Sequence, residues 1–307
     1  MRYVIIGGSA AAIGCIEGVR SVDKTGEIIL ITGETEWNYS RPLISYLLEG
    51  KTTRDKMWCR PDSFFTRNGV TVKAGVLATT LDAGDRTVRL STGERLAYDR
   101  LLAATGSRPF VPPIPGLETV ERTFCFQTLS DASALAEALR PESRVLILGA
   151  GLTGVKCAEG IRGLCAQIAI ADLAPRVLPA VLDDTAAAMV QARMEEKGVR
   201  FYLNDSAAAF RGNTARLQSG TELEFDVLVT AVGVRPNTQL VADAGGAVDR
   251  GNITPVGEAN FVHDPEAAKI VLDSGVNCRV ITLNATHSAE MTRADADKIL
   301  ALGTPAA

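Results

Sequence analysis

The chain carries one local pattern twice. Residues 2–20, RYVIIGGSAAAIGCIEGVR, run from a β-branched stretch through a turn of small residues into a run of small and apolar residues. The stretch SRVLILGAGLTGVKCAEGIRGL, from Ser143, repeats it, so that Gly149 stands 142 positions after Gly7. A short apolar strand that feeds directly into a helix needs a crossover to a parallel neighbour, which predicts two α/β units rather than hairpins.

In the second copy Gly149, Gly151 and Gly154 form a full G-x-G-x-x-G after the strand Val145–Leu148. The first glycine permits the tight turn, the second lets a pyrophosphate approach the backbone, and the third lets helix and strand pack closely. The following helix presents unpaired N–H groups and the positive end of its dipole to phosphates. The first copy is degenerate: it reads Gly7-Gly8-Ser9-Ala10-Ala11-Ala12, with Ser9 at the close-approach position and Ala12 at the packing position. Each copy then reaches a second strand and an acid. EIILITGE ends at Glu34, 27 residues after Gly7, and AQIAIAD ends at Asp172, 23 residues after Gly149. An acid there accepts hydrogen bonds from an adenosine ribose and repels a 2′-phosphate. Asp172 therefore favours NADH over NADPH, while nearby Arg176 keeps NADPH open.

Other classes fit poorly. The net charge of −4 argues against nucleic acid or an anionic membrane as the main partner. No apolar run reaches the roughly 18 residues of a membrane span, and glycines interrupt the N-terminus before any secretory pattern forms. Six cysteines form no C-x-x-C pair, and with only two histidines a zinc site is not expected, so reduced thiols in the cytoplasm are the natural setting. A homodimer is compatible with the chain. GGSAA is not a nucleophile elbow, because Ala11 stands where the last glycine of G-x-S-x-G belongs and the only histidines are His263 and His287.

Three more blocks sharpen the reading: WNYSRPLISYLLEGK (37–51), RLAYDRLLAATGSRPFVPPIPGLE (95–118) and EFDVLVTAVGVRPNTQL (224–240). With the two glycine loops they resemble the FAD-dependent pyridine nucleotide–disulfide oxidoreductase superfamily, and within it the single-flavin NADH oxidoreductases of the rubredoxin-reductase and nitrite-reductase flavin-domain kind. The resemblance covers residues 1–244. It implies two Rossmann-like units: an FAD-binding domain whose N-terminal part is 1–110, an NAD(P)H-binding domain at 111–232, and a return segment at 233–244. FAD would lie on Gly7, Ser9 and Ala12, with Glu34 on its adenosine ribose. Arg41 and Pro42 would lie along the flavin or its phosphates, the Val76 backbone would touch the adenine, and Thr105 and Gly106 would return the chain close to the cofactor. NADH would bind at Gly149, Gly151, Gly154 and Asp172, with Gly233 passing near the nicotinamide. The hydride step requires no side-chain acid or base; Lys156 and Glu159, on the second helix facing the expected nicotinamide channel, are the candidates for a catalytic role, the alternative being an ordinary solvated helix pair. The implied chemistry is hydride transfer from nicotinamide to flavin and electron transfer onward to a small-molecule or protein acceptor. Ser45 and the single Cys15 stand where relatives place redox-active cysteines, so thiol–disulfide exchange is not expected.

The last 63 residues depart from that family. Its closing T…P…Gly-Asp, whose aspartate binds the flavin ribitol, is not matched beyond Thr254-Pro255, which leaves the FAD unit incomplete. GNITPVGEANFVHDPEAAKIVLDSG and the stretches after it instead resemble a fragment of the inosine–uridine nucleoside hydrolases over residues 245–307. In those enzymes the pair matched by Glu258 and Asn260 grips ribose hydroxyls. Their calcium site starts from an aspartate-rich motif that this chain lacks, Asp183-Asp184 being the only paired aspartates, and no metal is expected. His263 and Asp264 read as a strand-to-helix junction, followed by helix 265–274, strand 278–283 and helix 292–302 in a short α/β segment. Three functions follow: an FAD-dependent NAD(P)H oxidoreductase, a truncated nucleotide-binding chain without turnover, and a nucleoside hydrolase-like activity of the tail.

Overall fold

The computed structural model describes residues 1–246. The chain divides into two compact units, Met1–Asn237 and Thr238–Ala307. Expectations for Glu258, Asn260, His263, Asp264 and the tail helices and strand lie outside the described residues.

The first repeat opens with β1 (Arg2–Ile6), α1 (Ala10–Val22) and β2 (Glu27–Thr32), followed by two short helices, α2 (Ile44–Leu48) and α3 (Asp62–Arg67), and β3 (Val70–Ala74). An antiparallel trio, β4 (Ala78–Asp82), β5 (Thr87–Leu90) and β6 (Arg95–Ala97), leads to β7 (Arg100–Ala103). Then β8 (Ser107–Pro109), β9 (Thr123–Cys125) and α4 (Leu129–Ala138) bring the chain to the second repeat. That repeat has β10 (Arg144–Leu148), α5 (Leu152–Ile161), β11 (Gln167–Asp172), α6 (Asp184–Glu195) and β12 (Val199–Leu203). A second antiparallel trio, β13 (Ala207–Arg211), β14 (Thr214–Leu217) and β15 (Glu222–Glu224), precedes β16 (Val227–Thr230) and β17 (Val234–Pro236). In the second unit the described residues form the single turn α7 (Gln239–Asp243).

The two repeats are the same machine. The first sheet runs β3-β2-β1-β7, and the second runs β12-β11-β10-β16 with β9 added at its edge. All the pairings within both sheets are parallel, so both are α/β with Rossmann-type order. In the second repeat the antiparallel trio covers one sheet face and helices cover the other. The strands therefore read as continuous apolar runs. In β10, Val145 and Ile147 enter one core, while Leu146 and Leu148 enter the core under β13–β15. Each such fully buried aliphatic side chain contributes about 1.5–3 kcal/mol before entropy is counted.

The core of the second repeat also contains residues from the first. Tyr39, Ile44 and Met57 pack with Leu129, Ala158 and Ile161, so the stretch containing α2 is stapled to the second sheet's helices. Sequence position alone assigns it to 1–110.

Two predictions arise here. Gly14 and Gly18 sit on the exposed face of α1 with nothing near an added Cβ. Gly14→Ala is expected to raise the thermal midpoint, stabilising by about 0.5–1 kcal/mol; unchanged or lower stability in a melt counts against it. Asp23 closes α1, and its Oδ1 accepts from the N–H groups of Gly26 (2.7 Å) and Thr25 (3.0 Å). The bonds from Gly26 and Thr25 hold its carboxyl down to about 2. A folded pKa below the unfolded one adds stability above the unfolded value of 3.8 that disappears as pH falls through about 2. The stability gap between wild type and Asp23→Asn should thus be full above pH ~4 and close by pH ~2. Denaturant titrations at several pH values read it directly.

Candidate dinucleotide sites

Each glycine loop leaves its strand and enters a helix that receives no help from its own side chains. Ser9 caps α1 and Gly151 caps α5, neither with a side-chain cap bond, and neither first turn carries an acid. By contrast α4 has a full capping box from Thr128 and Asp131, and α6 is capped by Asp183. The positive ends of α1 and α5 are thus left for another anion.

The glycines sort into closed and open positions. Gly7 (φ +124°) and Gly149 (φ +110°) occupy a conformation that L side chains rarely adopt. An added Cβ would lie 2.1 Å from the Ala104 carbonyl oxygen at Gly7 and 2.4 Å from the Ala231 carbonyl oxygen at Gly149. At Gly154 the Cβ would lie 1.9 Å from the Gly149 oxygen, which is the close helix–strand packing the sequence predicts. Gly151, Gly106 and Gly233 are different, because a Cβ at each would meet nothing within 4 Å. Open space therefore stands before the second loop and before both crossing strands.

The degenerate first loop works by a shift of roles. Ser9 is extended (φ −106°, ψ −162°), as is Gly151 (φ −75°, ψ −177°), so a serine fits without strain. Ala12 is fully buried. Close contact falls instead on Gly8, where a Cβ would lie 2.8 Å from Thr32 Oγ1.

The two acids are held differently. β2 ends at Thr32, so Glu34 lies in the loop beyond it. Its Oε2 accepts from the Tyr39 hydroxyl at 2.6 Å, and its Oε1 pairs with Arg41. Arg41 also donates to the Gln127 carbonyl at 2.9 Å, and Pro42 follows it in a 3-10 turn. Asp172 ends β11 as expected. Its Oδ2 accepts from Ala150 N–H (2.5 Å) and its Oδ1 from Ala174 N–H (2.7 Å), which ties the acid to its own glycine loop. The Ala150 carbonyl accepts from Leu178 N–H at 2.8 Å, and Leu178 is left-handed at φ +50°. Arg176 does not reach towards the acid. It donates to the carbonyls of Leu182 (3.2 Å) and Pro179 (3.3 Å) and pairs with Asp184 at 3.1 Å, which cinches loop 176–184.

The remaining expected residues fall near the same crossings. Val76 donates its N–H to the Thr32 carbonyl at 3.0 Å. Thr105 and Gly106 are strapped to Asn237: Thr105 Oγ1 donates to the Asn237 carbonyl at 2.6 Å, and Asn237 Nδ2 donates back to the Thr105 carbonyl at 2.9 Å. Antiparallel pairing of β8 with β17 fixes that crossing. Lys156 and Glu159 pair with each other on α5, and the Lys156 ammonium lies 4.2 Å from the ring centroid of Tyr46. The hydrogen bond from Lys156 holds the Glu159 carboxyl below its usual range. Tyr39, Gly8, Gln127 and Asn237 were missed by the sequence reading. Only Asn237, in VRPN, carried a local signal.

Cys15 is half-buried in the first core. Cys157 is fully buried on α5, and burial pushes its thiol up. Neither has the exposed, electropositive setting of a reactive thiolate. No helix among the described residues is long and apolar enough to cross a membrane, and none of their side chains form a cluster that could hold a metal.

The donor sets at both loops fit the adenosine and pyrophosphate parts of a dinucleotide: an uncapped helix start and an acid at or just past the end of the second strand, with open space at Gly151 in the second loop. The sequence after residue 244 supplies no Gly-Asp for a flavin ribitol.

Comparison with known proteins agrees with this geometry. Residues 233–307 match the family described as inosine-uridine preferring nucleoside hydrolase. The assimilatory nitrate reductase electron transfer subunit of Bacillus subtilis (strain 168) is 31% identical over 257 residues, covering 82% of this chain and 33% of that protein. The rubredoxin-NAD(+) reductase of Pseudomonas putida is 28% identical, covering 82% of this chain and 66% of that protein. The chain therefore spans between a third and two-thirds of the length of these relatives. In the crystal structure of the covalent putidaredoxin reductase–putidaredoxin complex, a matching chain superposes with a TM-score of 0.74 at 26% identity, covering 81% of this chain and 62% of that one. Residues 1–265 match the pyridine nucleotide-disulphide oxidoreductase model, and the chain belongs to that family.

Proposed function

We propose that this chain is an FAD-dependent NAD(P)H oxidoreductase, with FAD on the first glycine loop and NADH on the second. The observation that carries the reading is the pair of like-ordered parallel sheets, each leading through a glycine loop into an uncapped helix, with an acid at or just past the end of its second strand. When bound, the two cofactors supply hydride transfer from nicotinamide to flavin. The protein's part is alignment. Gly7 and Gly149 turn the chain under each pyrophosphate, the starts of α1 and α5 offset its charge, and Glu34 and Asp172 accept from the two adenosine riboses. Arg41 and Pro42 flank the first site, and Val76 offers its backbone carbonyl to the adenine. The crossing of Thr105–Gly106 with Gly233 keeps side chains out of the space between the sites. On α5, Lys156 places a positive charge beside Tyr46, with Glu159 holding it there.

Two features favour NADH: Asp172 stands ready to repel a 2′-phosphate, and the donors of Arg176 are spent on its own loop. The reading divides the chain into 1–110, 111–232 and 233–244, and the two separate parallel sheets support its first two parts. Electrons pass to a small-molecule or protein acceptor, a protein carrier being favoured by the electron-transfer roles named for the relatives. The free cysteines suit the reducing cytoplasm.

The test is the visible spectrum of purified chain incubated with FAD and desalted, before and after anaerobic NADH. Retained flavin that bleaches supports the reading. A chain that keeps no flavin is instead a binder of NAD without turnover.

A further inference from the structure

Tyr39 connects two parts of the molecule that the sequence keeps 90 residues apart. Its ring is 4% exposed and sits in the core of the second repeat, beside Leu129, Ala132 and Ile161. Its hydroxyl points the other way. It donates to Glu34 Oε2 at 2.6 Å and accepts from the N–H of Leu129, the first residue of α4, at 3.0 Å. Three further contacts reinforce the link. Asn38 N–H donates to the Gly8 carbonyl at 3.1 Å, Arg41 pairs with the other Glu34 oxygen, and its guanidinium lies 5.4 Å from the Tyr39 ring centroid. Burial and the bond to Glu34 push the phenol up to about 12, so the hydroxyl keeps its proton at any physiological pH and remains a donor.

A carboxylate on a loop beyond its strand has several rotamers, and fixing one of them costs conformational entropy when a ligand binds. A hydroxyl anchored in a packed core removes that cost in advance. We propose that Tyr39 is a positioning residue for the first nucleotide site: it holds Glu34 in the orientation that accepts the cis-diol of an adenosine ribose. Because its ring is seated in the second repeat's core and its hydroxyl on α4, the ribose grip of the first site depends on packing in the second. This rests on the reading of the first loop as the FAD site, and concerns affinity rather than chemistry.

The test is a double-mutant cycle read by FAD fluorescence quenching on flavin-free protein: wild type, Tyr39→Phe, Glu34→Gln and the double variant. Phenylalanine keeps the ring packing and removes only the hydroxyl. Tyr39→Phe is expected to weaken FAD binding about tenfold when Glu34 is present, and less than about twofold when residue 34 is glutamine. The thermal midpoint of flavin-free Tyr39→Phe should stay within a few degrees of wild type. Equal losses in both backgrounds, no loss in either, or a Tyr39→Phe chain that no longer folds would each overturn the assignment, since the hydroxyl would then hold the core rather than the acid. A wild type that binds no FAD is a different result: it removes the reading of the first site, and the role of Tyr39 with it.

Discussion

Gly7→Ala will yield a chain that retains no flavin after desalting, whereas Gly14→Ala on the next helix retains as much as wild type. The two changes add the same methyl group 7 residues apart, and the difference lies in backbone and neighbours. At Gly7 the backbone sits at φ +124°, outside the left-handed well that L residues occasionally visit. The new Cβ would also lie 2.1 Å from the carbonyl oxygen of Ala104. That atom belongs to the main chain just beyond β7, so it cannot rotate away. Relief requires moving either the turn or the end of β7, and Thr105 and Gly106 follow Ala104 directly. Strain of this kind costs about 3 kcal/mol, and a shift in the turn would carry the α1 helix start away from the proposed pyrophosphate position. Flavin absorbance after gel filtration gives the answer, and a far-UV melt separates lost binding from lost fold. A Gly7→Ala chain that keeps stoichiometric flavin would mean the first loop is not the FAD site.

The second large effect is expected at Asp172. Asp172→Ala should weaken NADH binding about a hundredfold, roughly 2.8 kcal/mol, without creating tight NADPH binding. The carboxylate does two jobs. Its oxygens satisfy the N–H groups of Ala150 and Ala174, so its loss leaves two backbone donors unpaired beside the glycine loop, at about 1–3 kcal/mol for a buried donor. At the proposed NADH site it would also remove the acceptor for the ribose hydroxyls. Removing the repulsion is not enough to admit a 2′-phosphate, because the guanidinium that could receive it is bonded to Leu182, Pro179 and Asp184. Titrations of wild type and variant with both nucleotides decide the matter. An Asp172→Ala chain that prefers NADPH would show that Arg176 leaves its loop to meet the phosphate.

The local signals in the sequence were strong where a function depends on a few consecutive residues. Gly149, Gly151 and Gly154 were legible as a set because the motif fixes their spacing; Gly149 and Gly154 answer to a local steric demand, and Gly151 faces open space. Asp172 was legible because an α/β crossover places the end of the second strand beside the loop. The degenerate first loop was harder to read. Its motif puts Ser9 at the close-approach position, where it is extended and unstrained, while the tight protein contact falls on Gly8, against Thr32 and Trp37. That exchange depends on how β2 and the loop after it pass under the turn, which no motif encodes. The partners of Arg176 were hidden for a similar reason: the loop's left-handed turn at Leu178 brings backbone carbonyls to it.

By itself the sequence determined the two α/β repeats, their parallel sheets, the paired glycine loops and the acids that follow them. These rest on strand and helix periodicity and on backbone conformations that only particular residues tolerate, both of which act over a few positions. Only the tertiary structure decided that the stretch containing Tyr39, Ile44 and Met57 packs into the second repeat's core, and that Tyr39 joins Glu34 to α4. Those choices follow from burying large side chains between elements distant in the chain, where the best-packed arrangement depends on every neighbouring surface at once and leaves no pattern in the local sequence.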